Sequence, residues 1–206
     1  MGSHVNSLLQ VYLIRHGETP WSLTGQHTGV TDLALTAHGE EEARGLAPHL
    51  RQTAFTHVLA SPRLRARQTC ELAGLGPMCS IEPDLAEWNY GDFEGQRSID
   101  IRKTHPGWNI WRDGCPHGDT PDALCARADR FIEKLCTLHG NVAVFSHGQF
   151  GAALAARWIG LPLIEGQHFA FAPGALSILG HDRNHPDRRL IELWNETPAS
   201  RRPINL

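Results

Sequence analysis

No stretch of this 206-residue chain stays apolar for long enough to span a bilayer, and its start, MGSHVNS, lacks the basic-then-apolar layout of a secretory signal. The expectation is a soluble, cytoplasmic protein with no membrane partner. Net charge is also missing, since 19 Lys and Arg stand against 22 Asp and Glu, for a formal -3. That balance gives no general pull toward nucleic acid, so any anion must be held by a local cluster. Cysteine is scarce and odd in number: Cys70, Cys79, Cys115, Cys125 and Cys136 form no C-x-x-C pair and no zinc-type spacing. They read as reduced, mostly buried thiols. Thirteen histidines invite a metal, yet no H-x-x-x-H or H-E-x-x-H pair falls on a helical face. Internal repeats and low-complexity segments are absent as well. With 41% hydrophobic residues, the chain can build a core as one domain over residues 1–206, residues 1–4 resembling an expression remnant.

What is present is a run of strands and helices in alternation. Residues 8–14 are nearly continuous in apolar side chains, as expected for a strand buried on both faces of a parallel sheet, and Arg15 and His16 follow at its end. Thr36 can cap a helix with Glu40, Glu41 and Glu42 near its start and Ala43, Leu46, Ala47 and Leu50 on one face. Residues 57–60 form a second strand ending at Ser61, and a helix follows Pro62 with Leu64, Cys70, Leu72 and Ala73 available to face inward. Thr120-Pro121-Asp122 starts another helix, which His139-Gly140 closes. Residues 141–145 are a strand ending at Ser146 and His147, and a helix with Phe150, Ala153, Leu154 and Trp158 comes next. Residues 175–179 and 190–194 read as two final strands around a polar loop. This alternation predicts an α/β fold, a three-layer α/β/α sandwich with a mainly parallel central sheet. Residues 88–118 break the rhythm with glycines, prolines and three tryptophans. They read either as a lid or pocket wall or as a packed surface loop.

Three of these strands end in polar elements: Arg15-His16-Gly17, Ser61 leading to Arg65, and Ser146-His147-Gly148. In open α/β sheets the ligand crevice lies beyond the carboxyl ends of the strands, so the three can meet. Arginines, histidines and helix-start N–H groups describe an anion site, and its size suits a phosphoryl group. An imidazole beside the arginine can also attack phosphorus, and neighbouring positive charge keeps that ring neutral. A leaving oxygen needs a proton donor, for which "LAEWNYGDFEG" offers Glu87, Asp92 and Glu94. Spacing does not choose among them; the flanking Trp88 makes Glu87 the better acid.

With these blocks in view, the chain resembles the histidine phosphatase superfamily, in the branch that includes phosphoglycerate mutases. The resemblance rests on "RHGET" at 15–19, "GQHTGVTDLALTAHG" at 25–39, "SPRLRARQT" at 61–69, "LAEWNYGDFEG" at 85–95 and "FSHG" at 145–148, in the family's order. It implies a phosphoglycerate mutase-like fold, with His16 as the residue that becomes phosphorylated. Arg15, Arg65 and His147 would bind the phosphoryl group, and Glu87 would serve as acid and then base. Arg65 is distinguished from Arg63 and Arg67 only by the family pattern S-x-x-x-R-A, and those two read as solvated helix face. The resemblance also implies substrate contacts from Ser22, Thr28, Gly29, Gly148 and Gln149, although Ser22 stands where the mutases usually carry asparagine. Trp88, Tyr90, Trp111, Arg112 and His117 are further candidates for the pocket wall.

The segment "WNIWRDGCPHGDT" resembles that of the sedoheptulose-bisphosphatase-like and acid phosphatase members, and the proline-rich insertion of the mutases is missing. The reading is a phosphomonoesterase acting on small phosphate esters, sugar phosphates or bisphosphates, best at acid to neutral pH. It needs no metal or other cofactor, and a homodimer is common among such proteins. The alternatives are a mutase, a metal-dependent hydrolase, and a binding module that has lost catalysis.

Overall fold

The computed structural model describes residues 8–197, so the remnant expected at residues 1–4 lies outside the described residues. A six-stranded sheet organises them. Its strands are β1 (Gln10–Arg15), β2 (Phe55–Ala60), β3 (Cys79–Ile81), β4 (Asn141–Ser146), β5 (Leu176–His181) and β6 (Arg189–Glu196). They lie in the order β3-β2-β4-β1-β5-β6. The pairs β1–β4, β2–β4 and β2–β3 are parallel, while β5 runs antiparallel to β1 and to β6. The sheet is thus mainly parallel, as its continuous apolar strands require.

The helices are α1 (Pro20–Thr24), α2 (Ala37–Leu50), α3 (Leu64–Leu72), α4 (Ser98–Thr104), α5 (Ile110–Asp113), α6 (Pro121–Leu135) and α7 (Gly148–Trp158). Side-chain alternation along β1 divides the core in two. Val11 and Leu13 join a cluster with Leu124, Phe131, Phe150 and Trp158 of α6 and α7. Ile14 joins the opposite cluster with Leu46, Leu50, Cys70 and Ala73, contributed by α2, α3 and its C-terminal end. Helices therefore cover both faces, which makes three layers. The caps are those expected: the hydroxyls of Thr36 and Thr120 accept from the N–H groups of Gly39 and Ala123 at 3.0 and 3.1 Å.

Two expectations need correction. The inward face of α3 is Arg65, Ala66, Thr69 and Cys70, with Leu64 and Leu72 only half-buried. The helix turns its polar residues inward because they serve the crevice. Helix α6 ends at Leu135, one turn before the His139-Gly140 pair, and Gly140 at φ 75° turns the chain into β4. Residues 88–118, read either as a lid or pocket wall or as a packed loop, are packed against the body of the protein. They contain α4 and α5 and send Trp88, Phe93, Ile101, Trp108, Ile110 and Trp111 into the larger core cluster.

Candidate active site

The strand ends meet by backbone hydrogen bonding. His16 N donates to Ser146 O at 3.0 Å and Ser61 N to Phe145 O at 2.9 Å, which sets the carboxyl ends of β1, β2 and β4 side by side. Gly17 lets the chain leave β1 against the first turn of α2, since a Cβ there would sit 2.3 Å from Gly39 O. Above the strand ends is a cavity of about 330 Å³. Arg15, His16, Ser22, Thr28, Glu87, Tyr90, Gly148 and Gln149 line it, together with Gly25, Gln26, His27 and the segment from Phe169 to Phe171.

His16 is 5% exposed, and its Nδ1 lies 2.7 Å from Gly17 O. A carbonyl only accepts, so Nδ1 carries the proton of the neutral ring and Nε2 is left with its lone pair free. Burial pushes the ring's pKa well below 6.5, and the guanidinium groups of Arg65 and Arg15 push it further. The sequence pointed to the charges, but burial leads. Arg15 donates from Nη1 to Phe171 O, while its Nε is buried and has no partner. A buried, unpaired donor is costly, and on the wall of a cavity it is an invitation to an acceptor. Gly148 makes room for it, because a Cβ there would come 3.1 Å from Arg15 Cζ.

Glu87 faces the cavity from the start of α7. Its Oε1 accepts from Trp88 N and Phe150 N at 2.9 and 2.8 Å, and its Oε2 accepts from Gln149 N at 3.0 Å. These bonds fix the carboxylate on the helix N-terminus. Trp88 reaches it through its backbone; the indole is fully buried and donates to Asp119 O. The other two carboxylates of that loop are occupied elsewhere. Asp92 pairs with exposed His117, and Glu94 accepts from Gly29 N and Thr31 N.

Arg65 and His147 lie behind the cavity wall. The Arg65 guanidinium donates to the carbonyls of Thr28, Gly29 and Thr31, and from Nε to His147 Nδ1 at 3.2 Å. With Nδ1 accepting, the neutral His147 ring carries its proton on Nε2, which donates to Ser61 Oγ at 2.7 Å. Burial lowers its pKa well below 6.5, helped by Arg65, His16, Arg15 and Arg63. The two histidine rings are 5.2 Å apart. Gly29 is likewise off the cavity, held between Glu94 and Arg65. Ser22 lines it, although its hydroxyl closes a capping box with Thr19.

Of the five candidates for the pocket wall, Tyr90 reaches the cavity. Trp88 and Trp111 pack edge to face 5.6 Å apart in the core, Arg112 pairs with Asp113 on the surface, and His117 sits outside. Arg67 is exposed as expected, but Arg63 is half-buried with an unpartnered Nε. Sequence reasoning missed His27, which stacks on Tyr90 at 4.5 Å, although it stood within the quoted block. It also missed residues 169–171, which no motif marked.

The buried histidines carry a prediction for stability. Burial lowers His27 to about 4, and His16 and His147 are also lowered. All three are neutral in both states above pH 6.5. Below it the unfolded chain takes up protons that the folded one refuses, so stability falls with pH toward the lowered values. For His27 the loss between pH 7 and 5.5 is about 1.3 kcal/mol, and His16 and His147 add to it in the same direction. Urea unfolding in phosphate-free buffer should show this loss; equal unfolding free energies at the two pH values would contradict it.

Comparison with known proteins shows the family. The family model of the histidine phosphatase superfamily (branch 1) matches residues 11–197. An acid phosphatase of Mycobacterium tuberculosis is 38% identical over 189 residues, covering 89% of this chain and 91% of the relative. Sedoheptulose 1,7-bisphosphatase of Saccharomyces cerevisiae is 37% identical over 182 residues, covering 72% and 67%. A solved structure of a Mycobacterium tuberculosis open reading frame superposes with a TM-score of 0.86 at 34% identity, covering 92% of this chain and 98% of that one. Both the sequence and the fold therefore place the chain in the histidine phosphatase superfamily, to which it belongs.

Proposed function

We propose that the protein is a phosphomonoesterase that hydrolyses small phosphorylated metabolites, sugar phosphates foremost, in the cytoplasm through a phosphohistidine on His16. The observation that carries this reading is a neutral His16 with Nε2 unprotonated, beside an Arg15 whose buried Nε lacks a partner. In the first step the Nε2 lone pair forms a bond to phosphorus as the ester P–O bond breaks. Glu87 gives its proton to the departing oxygen. In the second step a water oxygen bonds to phosphorus as the P–Nε2 bond breaks and its electron pair returns to His16, the water's proton passes to Glu87, and inorganic phosphate leaves. Arg15 holds the phosphoryl oxygens through both steps. Arg65 and His147 act from behind: Arg65 supplies positive charge next to His16, and the chain of hydrogen bonds from Arg65 through His147 to Ser61 keeps the His147 ring in place. No step in this sequence calls for a metal.

The names of the relatives support the same class. One is called an acid phosphatase and another a sedoheptulose bisphosphatase, which makes sugar phosphates the first substrates to try. A nucleophile kept neutral well below pH 6.5 suits work in acid to neutral solution. The test is phosphate release from a panel of sugar phosphates, sugar bisphosphates and phosphoglycerates between pH 5 and 8, with and without chelator. Release that survives the chelator is expected. Inactivity across the panel would contradict the proposal, and transfer between phosphoglycerate positions without release would favour a mutase.

A further inference from the structure

One segment of the cavity lining belongs to no helix or strand. Phe169, Ala170 and Phe171 follow a 3-10 turn (Leu163–His168) and precede β5, yet they line the cavity, and the carbonyl of Phe171 receives Arg15 Nη1. A backbone stretch without regular structure must be held by something else if it is to hold an arginine. Strand β6 does this. Trp194 Nε1 donates to Ala170 O at 2.7 Å, and the indole meets the rings of Phe169 and Phe171 at 5.4 and 5.1 Å. Asn195 Oδ1 accepts from Ala172 N at 2.7 Å, while Asn195 N donates to Ser177 Oγ at 2.9 Å.

These contacts depend on an irregularity. In the β5–β6 pairing Leu176 stands opposite Glu196 but Ile178 stands opposite Leu193, so Trp194 and Asn195 together face Ser177. This is a β-bulge, and Asn195 within it adopts φ 59°, a left-handed conformation that asparagine tolerates better than most residues. A bulge re-aims side chains that a regular strand would send elsewhere, and here it aims an indole N–H and an amide oxygen at one short segment.

We infer that Trp194 and Asn195 are positioning residues for phosphoryl binding: the bulge fixes residues 169–172, and the Phe171 carbonyl fixes the Arg15 guanidinium. This rests on the role given to Arg15 above. The bulge is therefore part of the anion site although neither residue touches it. A bulge that merely ended the sheet would affect stability and leave phosphate affinity alone.

The test uses the full chain with inorganic phosphate as the probe, measured by calorimetry, and with 4-nitrophenyl phosphate for KM and kcat. Asn195→Gly keeps the left-handed backbone and deletes the acceptor. Asn195→Asp keeps both. Trp194→Phe keeps the ring packing and deletes the bond to Ala170. Asn195→Gly and Trp194→Phe should raise the phosphate Kd and KM by about tenfold with a smaller change in kcat, the scale of one misplaced charge-assisted hydrogen bond. Asn195→Asp should stay within about twofold of the original protein, because the acceptor oxygen is retained. Should Asn195→Gly fail to fold, Trp194→Phe decides by the same constants. Unchanged Kd and KM in the folded variants would overturn the inference alone. An original protein that neither binds phosphate nor hydrolyses the ester would overturn the phosphatase reading, and the inference with it.

Discussion

Replacing His16 with alanine is expected to lower turnover by a factor on the order of 10^4 or more, the scale seen when a covalent nucleophile is removed. The size follows from what remains. Arg15 keeps its free Nε on the cavity wall, and Glu87 keeps its three backbone donors, so phosphate still has a place to bind. What disappears is the Nε2 lone pair that its surroundings keep free of a proton beside Arg15: Nδ1 is committed to Gly17 O, and burial with two guanidinium groups keeps the ring neutral. Water is a poorer nucleophile than a neutral imidazole, and in a direct attack Glu87 is already engaged as the acid for the leaving oxygen. The variant should thus lose kcat and keep phosphate binding within about tenfold, as uniform binding is separable from a lost transition-state interaction. A variant that hydrolyses esters within tenfold of the original rate would show that His16 is not the nucleophile.

Glu87→Gln should cost between about 10^2 and 10^4 in kcat, the range for a lost general acid-base group. The loss should depend on the leaving group. An aryl phosphate with an acidic phenol departs without a proton, so its first step survives in the variant, whereas a sugar alkoxide needs the proton and its first step fails. The second step needs the base in either case. Glu87→Gln given an aryl phosphate should therefore release a burst of phenol equal to the enzyme present and then stall as phosphoenzyme. The substitution also points an amide N–H₂ at one or more backbone donors now met by a carboxylate, which costs stability on the order of 1 to 3 kcal/mol. An unfolding curve separates that loss from the catalytic one. Equal losses for aryl and sugar esters, with no burst, would remove Glu87 from the proton-transfer role.

Much of the fold was legible because its signals are local. An apolar strand such as β1 and a capped helix such as α6 announce themselves within a few residues. Strand β3 did not, since three residues at a sheet edge with Ile81 half exposed carry no pattern. The inward face of α3 misled for the opposite reason: two of its four buried residues are an arginine and a threonine, which a hydrophobic pattern assigns to solvent. In the site, Arg15 and His16 could be named because they sit at a strand end before a glycine, and Glu87 because it flanks Trp88 within a block that resembles the family's. The wall could not be named in the same way. Trp88 and Trp111 offered aromatic surface, but composition does not say which way a ring faces, and both turn into the core. Phe169 to Phe171 are held as a wall in part by Trp194 and Asn195, more than twenty residues away, which reach them from a slipped strand register. Nothing in a short window of sequence records that.

The most direct test of the account is to mix the protein with a rapidly hydrolysed aryl phosphate, quench within milliseconds in alkali, where phosphohistidine survives, and locate the added mass by peptide mass spectrometry. The account predicts a single phosphoryl group on His16, absent in His16→Ala and accumulated in Glu87→Gln. An active enzyme that never carries phosphate on His16, or carries it on another residue, would contradict it.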